Sequence, residues 1–492
     1  MNLIQRTLQF FGAGYDGAES SRFRRDTGWS RNNERDEDAM LARDRSKLRI
    51  KGVDLRRNSG IVAGFCSRLA KFVIGADGIS PAPKTSSKQW NKDAADYFWK
   101  VWGPVCDSRG RCTLQDFQYM SVFLRPIHGG IYFQLLNDGT IRPIECDRIR
   151  NPRKDGKGEY TDGVKVDQQT GRIKGYLVHS RDKNGDFGGE HDETFVSAES
   201  VLSVISPPWR ADMVREVPDL AHVLPLLQDV AEMNKDTLAT AKAHAKIVGW
   251  LKKQSGNASN VFPLRSGTAT PSQRQTFNHD WGSILELFPN EDVGGFNSTT
   301  PNNLHIPYMQ WQLVLCAAAL DLPYEFLTLD FSKADWSRMK GILTFINQAL
   351  RPYRNWLNTR LNNPLWAWTI GRAVRRGILP KPPAPGGVSE LFKIEWHDPE
   401  QIWVDRQEAV QSDMLEYQMG QVTLTDMAKR RGKDLESNLR EIAEEKKTVA
   451  AIETEYGLPA GSLVHVQIPG QNNPAKAGTA QEPPKRKAET DE

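Results

Sequence analysis

The 492 residues contain no Cys-x-x-Cys pair. The five cysteines, Cys66, Cys106, Cys112, Cys146 and Cys316, are odd in number. A structural zinc site takes four ligands at short paired spacings. Cys106 and Cys112 find no second pair, so the cysteines read as free thiols in a reducing compartment. No stretch reaches the roughly 18 unbroken apolar residues of a membrane span. The opening MNLIQRTLQFFGAG is interrupted by Gln5, Arg6 and Gln9 and makes a poor secretory core. The expectation is a protein made in a cytoplasm, with no membrane partner. A strong charge excess is missing too. The formal net charge is +4 and the pI about 8.6, whereas a DNA-coating domain usually exceeds a pI of about 9. Any nucleic-acid contact is therefore local or weak.

Catalytic signatures are absent as well. There is no GxxxxGK[ST] loop, no GxGxxG after a strand, no HExxH and no GxSxG elbow. His397-Asp398 is an adjacent pair of a kind that some metal phosphohydrolases use. It lacks further His and Asp ligands at a recognisable spacing, and a turn capping the next helix is the plainer reading. Glu145 and Asp147, beside Arg148, would share one face of a strand and imitate a nuclease carboxylate pair. A strand end with a solvated salt bridge fits them equally. His128 before Gly129-Gly130 reads as a structural histidine. Neither a cofactor nor a metal is expected.

What is present is an ordinary soluble composition, 39% hydrophobic and 26% charged, in a chain long enough for about two to four domains. Fourteen tryptophans tilt the reading toward an assembly, because Trp is enriched at interfaces. The longest helical stretch is Asp219–Lys253. Its first half carries Val223, Leu224, Leu226, Leu227, Val230 and Met233, and its second half Ala239, Ala241, Ala243 and Ala245. As one helix it would span roughly 50 Å, with Pro225 in its first turns, where proline costs little. A return helix ends at Asp321-Leu322-Pro323. Between the two lies an excursion, residues 254–303, rich in Gly, Ser, Thr and Asn, with strand candidates at Val261–Leu264 and Ile284–Phe288.

Upstream, residues 19–57 interleave many Arg and Lys with Asp and Glu, a pattern that reads as a solvated helix face or a contact between subunits. Helices are predicted at Asn58–Ile74, Asn91–Trp102 and Thr113–Pro126, with a Pro/Ser-rich loop at Ser80–Ser87. The period then changes to two. Asn137-Asp138-Gly139 joins one hairpin and Asp167–Gly171 a second, with further strands at Thr194–Val196 and Ser200–Ile205. Downstream come a loop at Pro323–Asp335, a helix at Trp336–Leu361, a Pro-rich linker at Leu379–Gly387 and a strand at residues 391–396. A helical region at Asp405–Tyr456, broken at Gly420 and Gly432, precedes a polar tail from about Gly461 that is expected to be disordered.

In this order the features resemble the lambda family of phage portal proteins. The stretches that carry the resemblance are Arg56–Gly64 with Phe72–Ile79, Cys106-Asp107 before Thr113–Gln118, Ile144–Pro152, Gly163-Val164 with Asp167 and Gly171-Arg172, Pro323–Ser332, and Trp396–Pro399 with Asp405 and Gly420–Thr423. Two places depart from the family pattern. Arg215-Glu216-Val217-Pro218 stands before the long helix, and Lys333-Ala334-Asp335-Trp336-Ser337 follows the loop.

The resemblance implies an α+β portal-type fold. Residues 1–218 would form a mixed α/β wing, 219–253 and 304–322 the stem helices, and 254–303 a small α/β clip. Residues 323–400 would give the tunnel loop and more of the wing, 401–460 a helical crown and 461–492 the tail. It implies a non-enzymatic homo-oligomeric ring, expected to be a dodecamer, at a capsid vertex of the virion. Double-stranded DNA would be packaged through the ring by the terminase large subunit and later ejected. The implied partners are the major capsid protein, the scaffold and head-completion or adaptor proteins. DNA contact is expected first at Lys333, Arg338 and Lys340, then at Lys246, Lys252 and Lys253. The competing reading is a metal-dependent nuclease using Glu145 and Asp147. A capsid scaffold or adaptor is a third.

Overall fold

The computed structural model describes residues 37–152, 159–182, 185, 187, 193–252, 276–279, 282–287, 305–382, 392–400, 406–432, 435–459 and 461–463. The N-terminal arm, the strand expected at Val261–Leu264 and nearly all of the tail lie outside them.

The body begins with α1 (Glu37–Asn58) and α2 (Gly60–Ile74), of which α2 is apolar on a broad face. Val62, Phe65, Leu69 and Val73 of α2 are buried at helical spacing. β1 (Ser80–Pro83) replaces the expected Pro/Ser loop and pairs antiparallel with β12 (Ile394–His397). Pro81 and Pro83 hide this strand from a propensity reading, since proline is confined to sheet edges.

The helix expected at residues 91–102 is α3 (Lys88–Asp96), which passes into a wider π-helical turn at Tyr97–Trp102. α4 (Leu114–His128) starts on a capping box. The Thr113 hydroxyl accepts from the Asp116 N–H while Asp116 accepts from the Thr113 N–H. Gly129 ends α4 with φ +84°, and a Cβ there would stand 2.7 Å from Cγ of Glu216.

Both predicted hairpins form. β2 (Gly130–Leu135) pairs with β3 (Ile141–Ile144) and with β8 (Val201–Ile205). A second antiparallel sheet runs β4 (Tyr160–Thr161), β5 (Val164–Val166), β6 (Ile173–His179) and β7 (Glu193–Ser197). Tyr132, Ile144, Val164, Tyr176 and Val178 form a small core in this region. The main core gathers α2, α4, α8 (Trp336–Leu357) and α9 (Asn363–Arg375) around Trp366, Phe98 and Phe117. The sequence reading stopped short of α9, which opens with Pro364 in its first turn.

The long helix is shorter than expected. α5 spans Leu224–Lys246, about 34 Å. Ile247–Lys252, with its β-branched pair and Gly249, forms β9 instead. β9 runs parallel to β11 (Gly282–Leu287), which pairs antiparallel with β10 (Thr276–His279). The return helix, α6 (His305–Ala319), lies antiparallel to α5. His222 Nε2 meets the Ala319 carbonyl at 2.8 Å at one end, and Thr237 Oγ1 meets His305 Nε2 at 3.1 Å toward the other.

Beyond β12 come α10 (Arg406–Gln418), α11 (Leu424–Arg430) and α12 (Leu435–Glu455), divided near Gly420 and Gly432 as the sequence indicated. The cap expected from His397-Asp398 falls partly on residues outside the described ones.

The charged segment meets the expectation of a solvated face only in part: Asp44, Lys47, Lys51, Arg56 and Arg57 of α1 are exposed, but one side of the helix is not. Asp38, Arg45 and Arg49 of α1 are buried, together with Arg215 and Glu216. Arg215 grips Glu216 through Nε at 3.1 Å and Nη2 at 2.8 Å. Arg49 donates to the same carboxylate, and the Tyr132 hydroxyl donates to it at 2.6 Å. Arg45 donates to the Glu216 carbonyl at 3.0 Å and pairs with Asp38 and Asp162. Burial alone would push the Glu216 carboxyl up; Arg215 and Arg49 outweigh it and hold the group well below the carboxylate range. The departure at Arg215-Glu216 is thus the centre of a balanced buried ion network. It ties α1 to the sheet of β2, through Tyr132, to the sheet of β4–β7, through Asp162, and to the chain entering α5.

Candidate assembly surface and channel loop

α6 is HIPYMQWQLVLCAAA, apolar on nearly every side. Only Leu313, Cys316 and Ala317 are buried. Ile306, Tyr308, Trp311, Val314 and Leu315 face solvent, Trp311 at 58% exposure. On α5, Leu224, Leu227 and Val230 are buried while Leu238, Ala239 and Ala241 are exposed; the Ala243 and Ala245 side chains lie outside the described residues. A helix this apolar with one narrow buried stripe presents a face that water does not favour.

The loop after α6 turns sharply. The Leu322 N–H returns to the Ala317 carbonyl at 3.1 Å, with Asp321 in the left-handed region at φ +54°, a conformation Asp tolerates. Pro323 then opens a short helix, α7 (Tyr324–Thr328), in which Glu325, Phe326 and Leu327 are buried. Phe326 anchors the loop on α2, its ring 6.4 Å from Phe65 and 5.7 Å from Phe72. Arg68 of α2 donates to the carbonyls of Phe326 at 3.0 Å and Leu327 at 2.6 Å. A guanidinium there satisfies carbonyls that the helix end leaves open. Past that anchor the loop offers Leu329 and Phe331 to solvent, followed by Trp336 at the start of α8. Asp330, fixed by the hydroxyl and N–H of Ser332, is held below the usual carboxylate range.

The expected DNA-contacting cations fall into two groups. Lys333 Nζ donates to Gln310 Oε1 of α6 at 3.3 Å. Arg338 pairs with Glu325 at 2.9 Å, and Asp335 caps α8 by accepting from the Arg338 N–H at 2.7 Å. Lys340 pairs with Glu408 of α10 and lies over the Trp336 ring. These three stand at the Pro323 end of the helix pair. Lys246 closes α5 and Lys252 closes β9, about 33 Å away along α5, and Lys253 lies outside the described residues. The structure therefore does not bring all six together.

The nuclease candidate takes a different form. Glu145 and Asp147 share one guanidinium, with Arg181 Nη2 3.1 Å from Glu145 Oε2 and bonded to Asp147. A cation already occupies the position between the carboxylates that a metal would need. Among the described residues no group of three His, Cys, Asp or Glu side chains is placed to hold a metal ion. His128 is largely buried, and burial followed by the nearby Arg49 charge lowers its pKa. The burial that lifts the thiols of Cys66 and Cys106 to about 12 makes both poor nucleophiles.

A family model described as phage portal protein, lambda family, matches residues 22–351. No curated protein matches the chain. Among solved structures, a chain from the virion of a native gene transfer agent particle is 10% identical, with a TM-score of 0.41, over 78% of this chain and 91% of that one. A chain from the neck of the native particle, computed with C12 symmetry, is 11% identical, with a TM-score of 0.41, over 79% of this chain and 92% of that one.

Proposed function

Because this chain belongs to the lambda family of phage portal proteins, we propose that it closes into a ring at a capsid vertex. Double-stranded DNA is driven in through the ring by a terminase and later released through it. The observation that carries the reading is the exposed apolar face of α6 beside the small residues of α5. A second copy covers that face if α5 and α6 act as adjacent staves, and head-to-tail contacts of this kind close into rings. Twelve copies, with capsid, scaffold and head-completion proteins around them, complete the proposal. In it the body through residue 218 is the wing, α5 and α6 the stem, β9–β11 the clip, Pro323–Asp335 the tunnel loop and α10–α12 the crown.

The charges around the loop suit passage more than capture. A protein that neutralises many phosphates releases many counterions and holds DNA fast. Here Arg338 and Lys340 already have carboxylate partners, so Lys333 is the cation we assign to the passing backbone first. Lys246, Lys252 and Lys253 are assigned to the far end.

Electron microscopy of the purified chain is the test. The expected outcome is rings with a hole wide enough for a duplex, and a chain that stays monomeric under all conditions overturns the proposal. Incubation with DNA and magnesium or manganese should leave the DNA intact. Cleavage that disappears in Glu145→Ala would revive the nuclease reading.

A further inference from the structure

β1, α3 and α12 enclose a cleft of about 650 Å³ that the portal reading does not use. Its floor is Pro81, Ala82 and Trp99, and its rim is basic, with Lys84, Lys88, Lys92, Lys100 and Arg440 against Asp96 and Glu436. Both acids are already neutralised. Lys88 and Arg440 meet Glu436 at 2.9 and 2.7 Å, and Lys100 meets Asp96 at 2.8 Å. Lys84 and Lys92 are exposed, and Lys92 forms no ion pair with a described residue. In a chain whose whole net charge is +4, this one cleft concentrates a cationic excess.

We propose that the cleft binds an extended acidic segment of a partner protein, with Asp or Glu at alternate positions. Two features select that occupant. Lys88 and Lys92 are four residues apart on one face of α3, about 6 Å along the axis. Same-side residues of an extended peptide repeat at about 6.6 Å, so alternate acids meet successive lysines. The apolar floor suits the other side of such a peptide.

Backbone pairing is not what holds the segment. Lys84 directs its N–H to the Lys393 carbonyl at 2.7 Å, on the β12 side, which leaves Pro81 and Pro83 on the outer edge of β1 with no N–H to donate. Recognition through charge on an apolar floor follows. The assignment stands on the single chain and does not depend on the ring.

The test is fluorescence polarisation of a labelled peptide of alternating Glu and Val, titrated with the purified full chain. Saturable binding that weakens as salt rises is expected. The double variant Lys84→Glu, Lys92→Glu should weaken it by about tenfold or more, and Lys92→Gln should fall between. Both positions are exposed, so an unchanged melting temperature will show that the fold is intact. No binding by the unmodified chain, or unchanged binding by the double variant, overturns the proposal. So does a short duplex that binds more tightly than the peptide and is lost in the same variant, which would make the cleft a nucleic-acid surface.

Discussion

Around Glu216, Asp38, Arg45, Arg49 and Arg215 are shut away from water; along α6, Ile306, Tyr308 and Trp311 are left in it. The two regions invert the usual rule that charge is outside and large apolar groups inside, for opposite reasons. The buried charges satisfy one another within the chain, since each carboxylate meets a guanidinium. No described residue covers the apolar face of α6. A closed network makes a region complete as a single copy, whereas an uncovered apolar helix is incomplete until another surface reaches it. The body is the self-sufficient part of the molecule, and the helix pair is the part that needs company.

The largest expected effect falls on the self-sufficient part. Glu216→Ala would leave Arg45, Arg49 and Arg215 buried without their shared carboxylate, and breaking such a network costs about 3–5 kcal/mol. Urea unfolding followed by tryptophan fluorescence should show it; a loss below about 1 kcal/mol would mean the guanidiniums find water. The pH dependence follows from the same group. Its folded pKa is depressed below the ordinary 4.5, so its contribution is full above that value and drains away as the pH falls below it. The unmodified chain should lose stability on acidification below pH 4.5, and Glu216→Ala should lose less over that window.

Smaller effects calibrate the comparison. Tyr132→Phe removes one donor from a carboxylate that keeps its arginines, and a hydrogen bond to a charged group is worth about 1.5–3 kcal/mol. Arg68→Ala uncaps the Phe326 and Leu327 carbonyls at the edge between body and loop. Arg68 itself is half-exposed, so water can take over part of the contact and a loss nearer about 1 kcal/mol is expected. Limited proteolysis of Arg68→Ala should cut first within residues 329–335. Cutting in the body instead would show that the loop is not anchored through α2.

The same division explains what could be read in the sequence. Alternation, Asp-Gly turns and capping residues are local signals, so the hairpins at Asn137–Gly139 and Asp167–Gly171, the Thr113 cap and the breaks at Gly420 and Gly432 were all legible. The ion network was not. Arg45 and Asp162 are far apart in sequence, and a run of mixed charge looks the same whether water or another charge answers it. β1 was hidden by its prolines, and its partner, β12, lies over 300 residues away. The end of α5 was missed because alanine carries a helical pattern up to Ile247, where pairing with β11 takes over. In the candidate site, the sharp turn at Asp321-Leu322-Pro323 was legible. The partners that occupy Arg338 and Lys340 come from α7 and α10, which no local pattern connects.

The smallest expected effect on the chain is also the one that tests the comparison hardest. Ala241 lies on the exposed side of α5, where an indole projects away from the described core. Surface substitutions of this kind usually change stability by no more than about 0.5 kcal/mol, so the melting temperature of a dissociated Ala241→Trp chain should match that of the parent. If small residues there let a second copy approach, the same indole holds the two helices apart, because helices that meet through alanine pack at the near end of the usual distances. Rings should then be lost or widened in electron micrographs while the fold is untouched. Intact rings would separate the two halves of the argument, since α6 could still seek a partner but α5 would not lie at that interface.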